Sequence, residues 1–168
     1  MNFEIRLARE SECGLILNFI RELAEYERLS HEVVSTEKMI RENIFQKHFA
    51  EVVFAELDGR PVGFALFFHN FSTFVGRPGL YLEDLYVKPE YRGKGYGKRL
   101  LIYLAKLARD RDCGRFEWAV LNWNEKAILF YKSLGAKPME EWKVYRLDGK
   151  ELEKVALLAG ASDDKQVM

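Results

Sequence analysis

The chain is short of cysteine, of charge of one sign and of long apolar runs, and each shortage excludes a class of protein. Cys13 and Cys113 are its two cysteines. They are too few for a disulfide framework, and no Cys/His cluster has the spacing of a metal site. The 26 basic and 26 acidic residues cancel to a formal net charge of zero. Nucleic acid is therefore not expected as an obligatory partner.

Membrane and secretory signals are missing as well. No apolar run is long enough to span a bilayer, and the charges at Glu4, Arg6 and Arg9 argue against a secretory leader. We therefore expect a cytoplasmic protein with no membrane partner. Its 168 residues, of which 48% are hydrophobic, suit a single domain with a sizeable core. We expect that domain to cover 1–158, with a flexible tail over 159–168.

Hydrophobic spacing predicts the order βααβββαβαβ. Alternation over 3–7 predicts the first strand. Ser11 is expected to cap a helix that runs to about Leu29, and Thr36 to begin a second helix. Asp58-Gly59 predicts a tight turn between two strands, and 70–79 reads as a loop. The later strands are predicted at 52–57, 62–68, 80–87, 116–121 and 144–147, and the later helices at 98–109 and 125–134. A short amphipathic segment is expected over 151–158.

The segment 92–97, Arg-Gly-Lys-Gly-Tyr-Gly, carries the strongest functional signal. It lies between a predicted strand and a predicted helix. Glycines let backbone N–H groups converge at a helix start, where unpaired donors and a partial positive charge favour a phosphate. The segment therefore predicts a site for a diphosphate.

Two common phosphate motifs do not fit this spacing. A Walker loop needs glycine at position 92, which is Arg here. A dinucleotide fingerprint that starts at Gly93 needs Gly or Ala at position 98, which is Lys. The spacing that remains is Arg-x-x-Gly-x-Gly over Arg92, Gly95 and Gly97.

That loop resembles the pyrophosphate-binding loop of the GNAT acetyltransferase superfamily, and the order of elements resembles the family from end to end. The resemblance implies an α/β protein of the GNAT fold, with a single mixed central sheet, splayed strands and flanking helices. It implies acetyl-CoA as co-substrate and no metal. The segment 122–136 resembles a second GNAT signature, in which an Asn begins a helix and a Tyr near its end protonates the departing thiolate. The residues implied at acetyl-CoA are Leu85, Tyr86, Val87, Arg92, Gly93, Lys94, Gly95, Tyr96, Gly97, Lys98, Asn124, Glu125, Lys126, Ala127 and Tyr131.

Acetyl transfer to an amine needs a base, because an ammonium with a pKa near ~10 has no lone pair with which to attack. Glu83 interrupts an otherwise apolar strand, so it is the candidate base, acting directly or through water. An edge-strand acid facing solvent is the alternative interpretation. Tyr131 is the candidate acid, and its alternative is a core tyrosine whose hydroxyl is paired.

The segments 21–27, 81–87 and 123–132 resemble the diamine acetyltransferase branch, which includes spermidine/spermine N1-acetyltransferases and thialysine-acetylating relatives. That resemblance implies a homodimer, and it implies Tyr26, Glu27, Glu83 and Glu141 at the substrate. The alternative interpretation is that the acidic residues around Glu27 and Glu141 only form solvent-exposed faces. The sequence Phe-Ser-Thr-Phe at 71–74 is similar to the thialysine type, since polyamine-acting members carry an acid there. The expected acceptor is a small primary amine such as thialysine, a lysine-like amine or a short di- or polyamine.

Two other functions stay open at this point. A protein or peptide N-acetyltransferase would use the same co-substrate chemistry. A regulatory module could bind acyl-CoA without turning it over. Catalysis through Cys13 or Cys113 is not expected, because neither lies by the loop or beside a histidine.

Overall fold

The computed structural model describes residues 1–160, in two compact units that divide between Leu121 and Asn122. The first unit contains β1 (Phe3–Leu7), α1 (Cys13–Tyr26), α2 (Glu37–Ile40), β2 (Glu51–Leu57), β3 (Arg60–Ser72), β4 (Arg77–Val87), α3 (Tyr96–Asp110) and β5 (Arg115–Trp118). The second unit contains, within the described residues, α4 (Glu125–Ser133) and α5 (Gly149–Ala156). The expected tail lies outside the described residues from position 161 onward.

The five strands of the first unit form one mixed sheet in the order β1-β2-β3-β4-β5. The first four are antiparallel neighbours, and β5 runs parallel to β4. Asp58 and Gly59 join β2 to β3 with φ of 48° and 75°, as a two-residue hairpin turn with positive φ requires. This sheet with flanking helices confirms the expected mixed α/β fold.

The pairing of β4 with β5 stops halfway along β4. Paired residues run from Gly79 with Arg115 to Leu82 with Trp118, and no strand within 1–160 pairs with β4 on that side beyond this point. The Lys88 N–H donates to the Val62 carbonyl of the β3 side at 2.9 Å. Because backbone polar groups alternate between the two sides of a strand, those of Leu85 and Val87 face the unpaired side. The pairing stops here because β5 ends at Trp118 while β4 continues to Val87. We call Leu85–Val87 the open edge of β4.

Aromatic packing holds α1 against the sheet. Phe19 is 1% exposed. Its ring centroid lies 5.8 Å from Phe54, 5.2 Å from Phe64 and 6.3 Å from Tyr86. The apolar spacing of the helix therefore buries one face on β2, β3 and β4, which fixes the end of α1 near the open edge. Helix α3 buries Leu100, Leu101, Leu104 and Ala108.

The start of α1 differs from the prediction. Ser11 lies inside a short 3₁₀ turn, Glu10–Glu12, and does not cap the helix. The Glu12 carboxylate does accept the Arg9 N–H at 2.8 Å, and it also pairs with Arg6 at 2.6 Å. Glu12 stands at the N-cap position of α1, but its side chain makes no capping hydrogen bond to that helix. The prediction at Thr36 is confirmed, since its hydroxyl accepts the Met39 N–H at 3.2 Å.

Two further predictions are wrong. The loop over 70–79 is mostly strand, because Ser72 and Arg77 are still paired across the β3–β4 hairpin and only 73–76 turn. The strand over 144–147 is not formed. Val144 is 92% exposed and Tyr145 90% exposed, and no strand of the described chain offers these residues the ladder partners that a strand needs.

Candidate functional site

The glycine loop leads directly into α3. Gly95 is the N-cap with φ of 83°, and Gly93 has φ of 76°. Both angles lie in the left-handed region that favours glycine. No side chain caps this helix end. The Arg99 N–H bonds the Gly95 carbonyl at 3.0 Å, which leaves the N–H groups of the first turn, at 96–98, for an outside acceptor. The residues present therefore fit a phosphate.

The first turn of α3 lies against the open edge of β4. A Cβ added to Gly97 would lie 3.7 Å from Leu85 Cδ2 and 3.8 Å from Val87 Cγ2. The first turn of α3 and the open edge of β4 are thus neighbours. Tyr96 stacks on Phe3 at 4.9 Å, while Lys94 and Lys98 are exposed on the loop and the first turn.

Arg92 connects the loop to the end of α1. Its Nε donates to the Val87 carbonyl at 2.8 Å. Its guanidinium lies 4.6 Å from the Tyr26 ring centroid and 5.1 Å from that of Tyr86. Cation–π contacts of this kind hold the ring in place. A residue predicted at the diphosphate therefore contacts Tyr26, a residue predicted at the substrate.

An acid-lined cavity opens beyond the end of α1. It measures about 290 Å³, and its carboxylates are Glu27, Glu32 and Asp84. The aliphatic wall consists of Ile20, Leu23, Leu29, Val33 and Val34. We call it the acidic pocket. Three negative groups on an apolar wall suit a cation that is carried on a hydrocarbon chain.

The two neighbouring acids of β4 have different surroundings. Glu83 is exposed, and Asp84 is partly buried in the acidic pocket. Burial raises the pKa of Asp84 to about 7, and the charges of Glu83 and Glu27 act in the same direction. Burial also raises the pKa of Glu27. The sequence analysis named Glu83 and not Asp84, which is the acid of the two that lines the acidic pocket. Asp84 lies two residues before the buried Tyr86. Because alternate residues of a strand share a face, this spacing indicates that Asp84 faces the interior.

The second unit contains the other predicted signature. The Asn124 side chain accepts the Ala127 N–H at 3.3 Å and begins α4. Gly135, with φ of 85°, ends the helix. The Ala136 N–H bonds the Tyr131 carbonyl at 3.2 Å, which completes a Schellman motif. Asn124 and Tyr131 lie seven residues apart and so share one side of α4. Glu125, Lys126 and Ala127 form the first turn, and Glu141 is exposed.

Other chemistries have little support in the described part of the chain. No group of three or more His, Cys, Asp or Glu within 1–160 could hold a metal ion. The Cys13 thiol is buried and donates to the Glu10 carbonyl at 3.0 Å. Burial raises the pKa of both cysteine thiols, which disfavours the nucleophilic thiolate. None of the helices in 1–160 combines the length and apolarity needed to cross a membrane.

Known proteins resemble this chain over most of its length. The pattern of the acetyltransferase (GNAT) family matches 18–136. A thialysine N-epsilon-acetyltransferase of Sus scrofa is 43% identical over 164 residues, which cover 90% of this chain and 96% of the relative. The protein of that name from Caenorhabditis elegans is 37% identical over 158 residues, covering 92% and 98%. Among solved structures, an integron cassette protein from the mobile metagenome of V. cholerae matches with a TM-score of 0.78 at 29% identity, covering 93% of this chain and 98% of that one.

Proposed function

The chain belongs to the acetyltransferase (GNAT) family, and from that premise we propose that it transfers the acetyl group of acetyl-CoA to a primary amine of a small molecule within a ternary complex. The proposed acceptor is thialysine, a lysine-like amine or a short di- or polyamine. The observation that carries this proposal is the acidic pocket, because Asp84 both lines it and directly precedes the open edge of β4. The similarity to thialysine-acetylating relatives supports the choice of amine.

The first unit supplies the groups that would hold the CoA portion. N–H groups of the first turn of α3, freed by Gly93 and Gly95, would bind the pyrophosphate, and Lys94 and Lys98 would add positive charge. The open edge has the amide and carbonyl groups of Leu85 and the N–H of Val87 without a strand partner within 1–160, which match the amides of pantetheine. The Val87 carbonyl accepts from Arg92 Nε. The thioester would then lie beside Asp84 and the mouth of the acidic pocket.

The chemical step needs two proton transfers. A carboxylate of the Glu83–Asp84 pair takes a proton from the ammonium, so that the free amine can attack the acetyl carbonyl. Tyr131 gives a proton to the departing thiolate, and Asn124, on the same side of α4, orients the CoA chain with the first turn of that helix. Tyr26, Glu27 and Glu141 bind the rest of the amine substrate.

The organisation of the protein follows the same proposal. Residues 1–158 act as one N-acetyltransferase domain, which the family match supports because it spans the division between the two units. The protein works as a homodimer in the cytoplasm and needs neither nucleic acid nor a membrane as partner. Light scattering coupled to gel filtration tests the dimer, and a monomer mass at micromolar concentration would contradict it.

An amine panel tests the proposed reaction. Thialysine, lysine, putrescine and spermidine are each offered with acetyl-CoA, and thiol release gives kcat/KM. We expect thialysine and lysine-like amines to be preferred over spermidine. A peptide with an unacetylated lysine is assayed as a further acceptor. A higher kcat/KM for this peptide than for the small amines would indicate a peptide acetyltransferase. Binding of acetyl-CoA with no thiol release for any acceptor would overturn the proposal in favour of a binding module.

A further inference from the structure

The start of the chain packs against the first turn of α3, beside the glycine loop. The Phe3 ring of β1 stacks on the Tyr96 ring, with centroids 4.9 Å apart and planes 5° from parallel. The Arg99 guanidinium lies 3.8 Å from the centroid of the same Phe3 ring. Tyr96 and Arg99 are three residues apart and so are neighbours on the surface of α3. One aromatic ring of the first strand therefore contacts both side chains.

The register of the sheet explains how a residue of the first strand reaches this helix. Ile5 is opposite Ala55. Ala55 is in turn opposite Gly63, which is opposite Val87. Directly opposed residues lie on the same face, and so do alternate residues of one strand. Phe3, two residues before Ile5, therefore shares the face of Val87. The two strands between them present only a methyl group and a hydrogen in this row, which leaves room for a helix turn.

The first turn of α3 lies between these two side chains. Toward β4, a Cβ on Gly97 would lie 3.8 Å from Val87 Cγ2. Toward β1, the Tyr96 ring lies on the Phe3 ring. The N–H groups at 96–98, which have no acceptor in the backbone of the helix itself, belong to this turn. The Phe3 ring thus supports these N–H groups on the side away from β4.

The backbone beside Phe3 is anchored as well. The Asn2 N–H donates to the Asp58 carboxylate at 2.7 Å, and the Asp58 N–H donates to the Asn2 carbonyl at 2.8 Å. Both bonds tie the residue before Phe3 to the turn between β2 and β3. Phe3 itself is opposite Leu57 of β2. Because these contacts oppose fraying of the chain end, the ring presents a fixed surface to α3.

Arg99 brings a positive charge to this surface. The ion pairs within residues 1–160 do not include Arg99. A cation near a helix N-terminus is disfavoured by the helix dipole, because both are positive there. The Phe3 ring offsets part of this repulsion, since the face of an aromatic ring attracts a guanidinium. A charge held there, beside the N–H groups at 96–98, suits a phosphate.

We propose that Phe3 is a positioning residue for the donor diphosphate, and that Arg99, held on the Phe3 ring, adds a guanidinium contact to that diphosphate. The ring acts through α3, because it fixes Tyr96 and the first-turn N–H groups. This inference rests on the proposed acetyl transfer, since it takes acetyl-CoA as the donor. It extends the donor site from the glycine loop to the first strand, in which the sequence analysis found no functional signal.

Two acetyl donors separate this role from a general effect on the fold. Acetyl-CoA carries the diphosphate, and S-acetyl-pantetheine carries the same thioester arm without any phosphate. Phe3→Leu keeps an apolar side chain on the sheet and removes the aromatic face. It should raise the calorimetric Kd of acetyl-CoA about 5–30-fold. It should change kcat with acetyl-CoA, and kcat/KM with S-acetyl-pantetheine, by less than about twofold. Phe3→Tyr keeps the ring and should stay within about threefold of the parent Kd.

Two further variants complete the comparison. Arg99→Gln should weaken acetyl-CoA binding about 10–100-fold. It should weaken binding of acetyl-(3′-dephospho)-CoA by the same factor, because the proposed contact is to the diphosphate. Phe68→Leu is the matched control, since it removes the aromatic pair that Phe68 forms with Tyr81 at 5.2 Å elsewhere in the sheet. This control should keep the parent ratio of kcat/KM between acetyl-CoA and S-acetyl-pantetheine.

Three results would overturn the assignment. Equal losses with both acetyl donors in Phe3→Leu would mean that the ring serves the fold and not the diphosphate. An unchanged acetyl-CoA Kd in Phe3→Leu would mean that the ring does not position the loop. A loss in Arg99→Gln that disappears with the 3′-dephospho donor would place the guanidinium at the 3′-phosphate instead. The Kd values need no turnover, so a parent protein that binds acetyl-CoA and acetylates no amine would refute the proposed function while these Kd values still decide the role of Phe3.

Discussion

Asp84→Asn should make the protein more stable while it removes activity. The pKa of Asp84 is raised from its ordinary 3.8 to about 7 by burial and by neighbouring acids. Between those values the unfolded chain has lost the proton and the folded protein has kept it. The folded state therefore binds more protons, and stability falls as the pH rises through this window. Asparagine has the same shape and no charge, so it avoids this loss.

The size of the effect follows from the two pKa values. A carboxyl pKa raised from 3.8 to about 7 corresponds to roughly 4 kcal/mol of lost stability once the group is ionised in both states. Asp84 is partly exposed, and solvent weakens the repulsion from Glu27 and Glu83. We therefore expect Asp84→Asn to gain about 1–3 kcal/mol at pH 8. The gain should be near zero at pH 4 and constant above pH 7.

Urea unfolding at pH 4, 6 and 8 measures this gain. Glu90→Gln is the matched control, since it removes an exposed acid of the turn after β4 and should change stability by less than about 0.5 kcal/mol at every pH. An Asp84→Asn protein no more stable than its parent at pH 8 would refute the reasoning. A gain of the same size at all three pH values would also refute it, because that would point to packing and not to ionisation.

Three further changes test other parts of the structure. Gly95→Ala should raise the acetyl-CoA Kd about 5–30-fold, because a left-handed alanine costs about 1–2 kcal/mol. Gly76→Ala is the control, because Gly76 also has a positive φ, of 70°, but lies before β4, and it should change the acetyl-CoA Kd by no more than about twofold. Equal Kd values for the two variants, measured by calorimetry, would show that the glycine loop does not bind acetyl-CoA. Phe19→Ala should destabilise the protein by about 3–5 kcal/mol in urea unfolding, and a loss below about 1 kcal/mol would mean that the aromatic cluster does not anchor α1. Tyr131→Phe should lower kcat by about 10²-fold or more with little change in acetyl-CoA affinity; an unchanged kcat would exclude it as the acid.

The features that the sequence predicted well depend on local chemistry. The glycine spacing at 92–97 specified the helix start because positive φ and a bare N-terminus need no distant partner. Asn124 and Gly135 likewise determined both ends of α4, through a cap and a Schellman motif. Asp58-Gly59 specified a hairpin turn. Each of these signals lies within a few residues of the structure that it produces.

The features that were missed depend on distant partners. A β-bulge at Glu83, which has no partner on β3, exists only in the register of β4 against β3, and a single sequence contains no record of that register. The position of Asp84 on the wall of the acidic pocket therefore follows from the register and not from the sequence of β4 alone. Ser11 does not cap α1 because it lies inside the 3₁₀ turn Glu10–Glu12, whose Glu12 carboxylate is held by the Arg6 side chain of β1 and by the Arg9 N–H.

The open edge of β4 also bears on the solubility of the protein. Unpaired strand backbone in the middle of a sheet can recruit a strand from another molecule, as exposed edges do in aggregation. Charged residues lie at both ends of this stretch, with Glu83 and Asp84 before it and Lys88 after it. The Val87 carbonyl also accepts a hydrogen bond from Arg92 Nε. Charges in such positions discourage intermolecular strand pairing. The charged groups beside the open edge should thus also keep concentrated, ligand-free protein from polymerising through this stretch of β4.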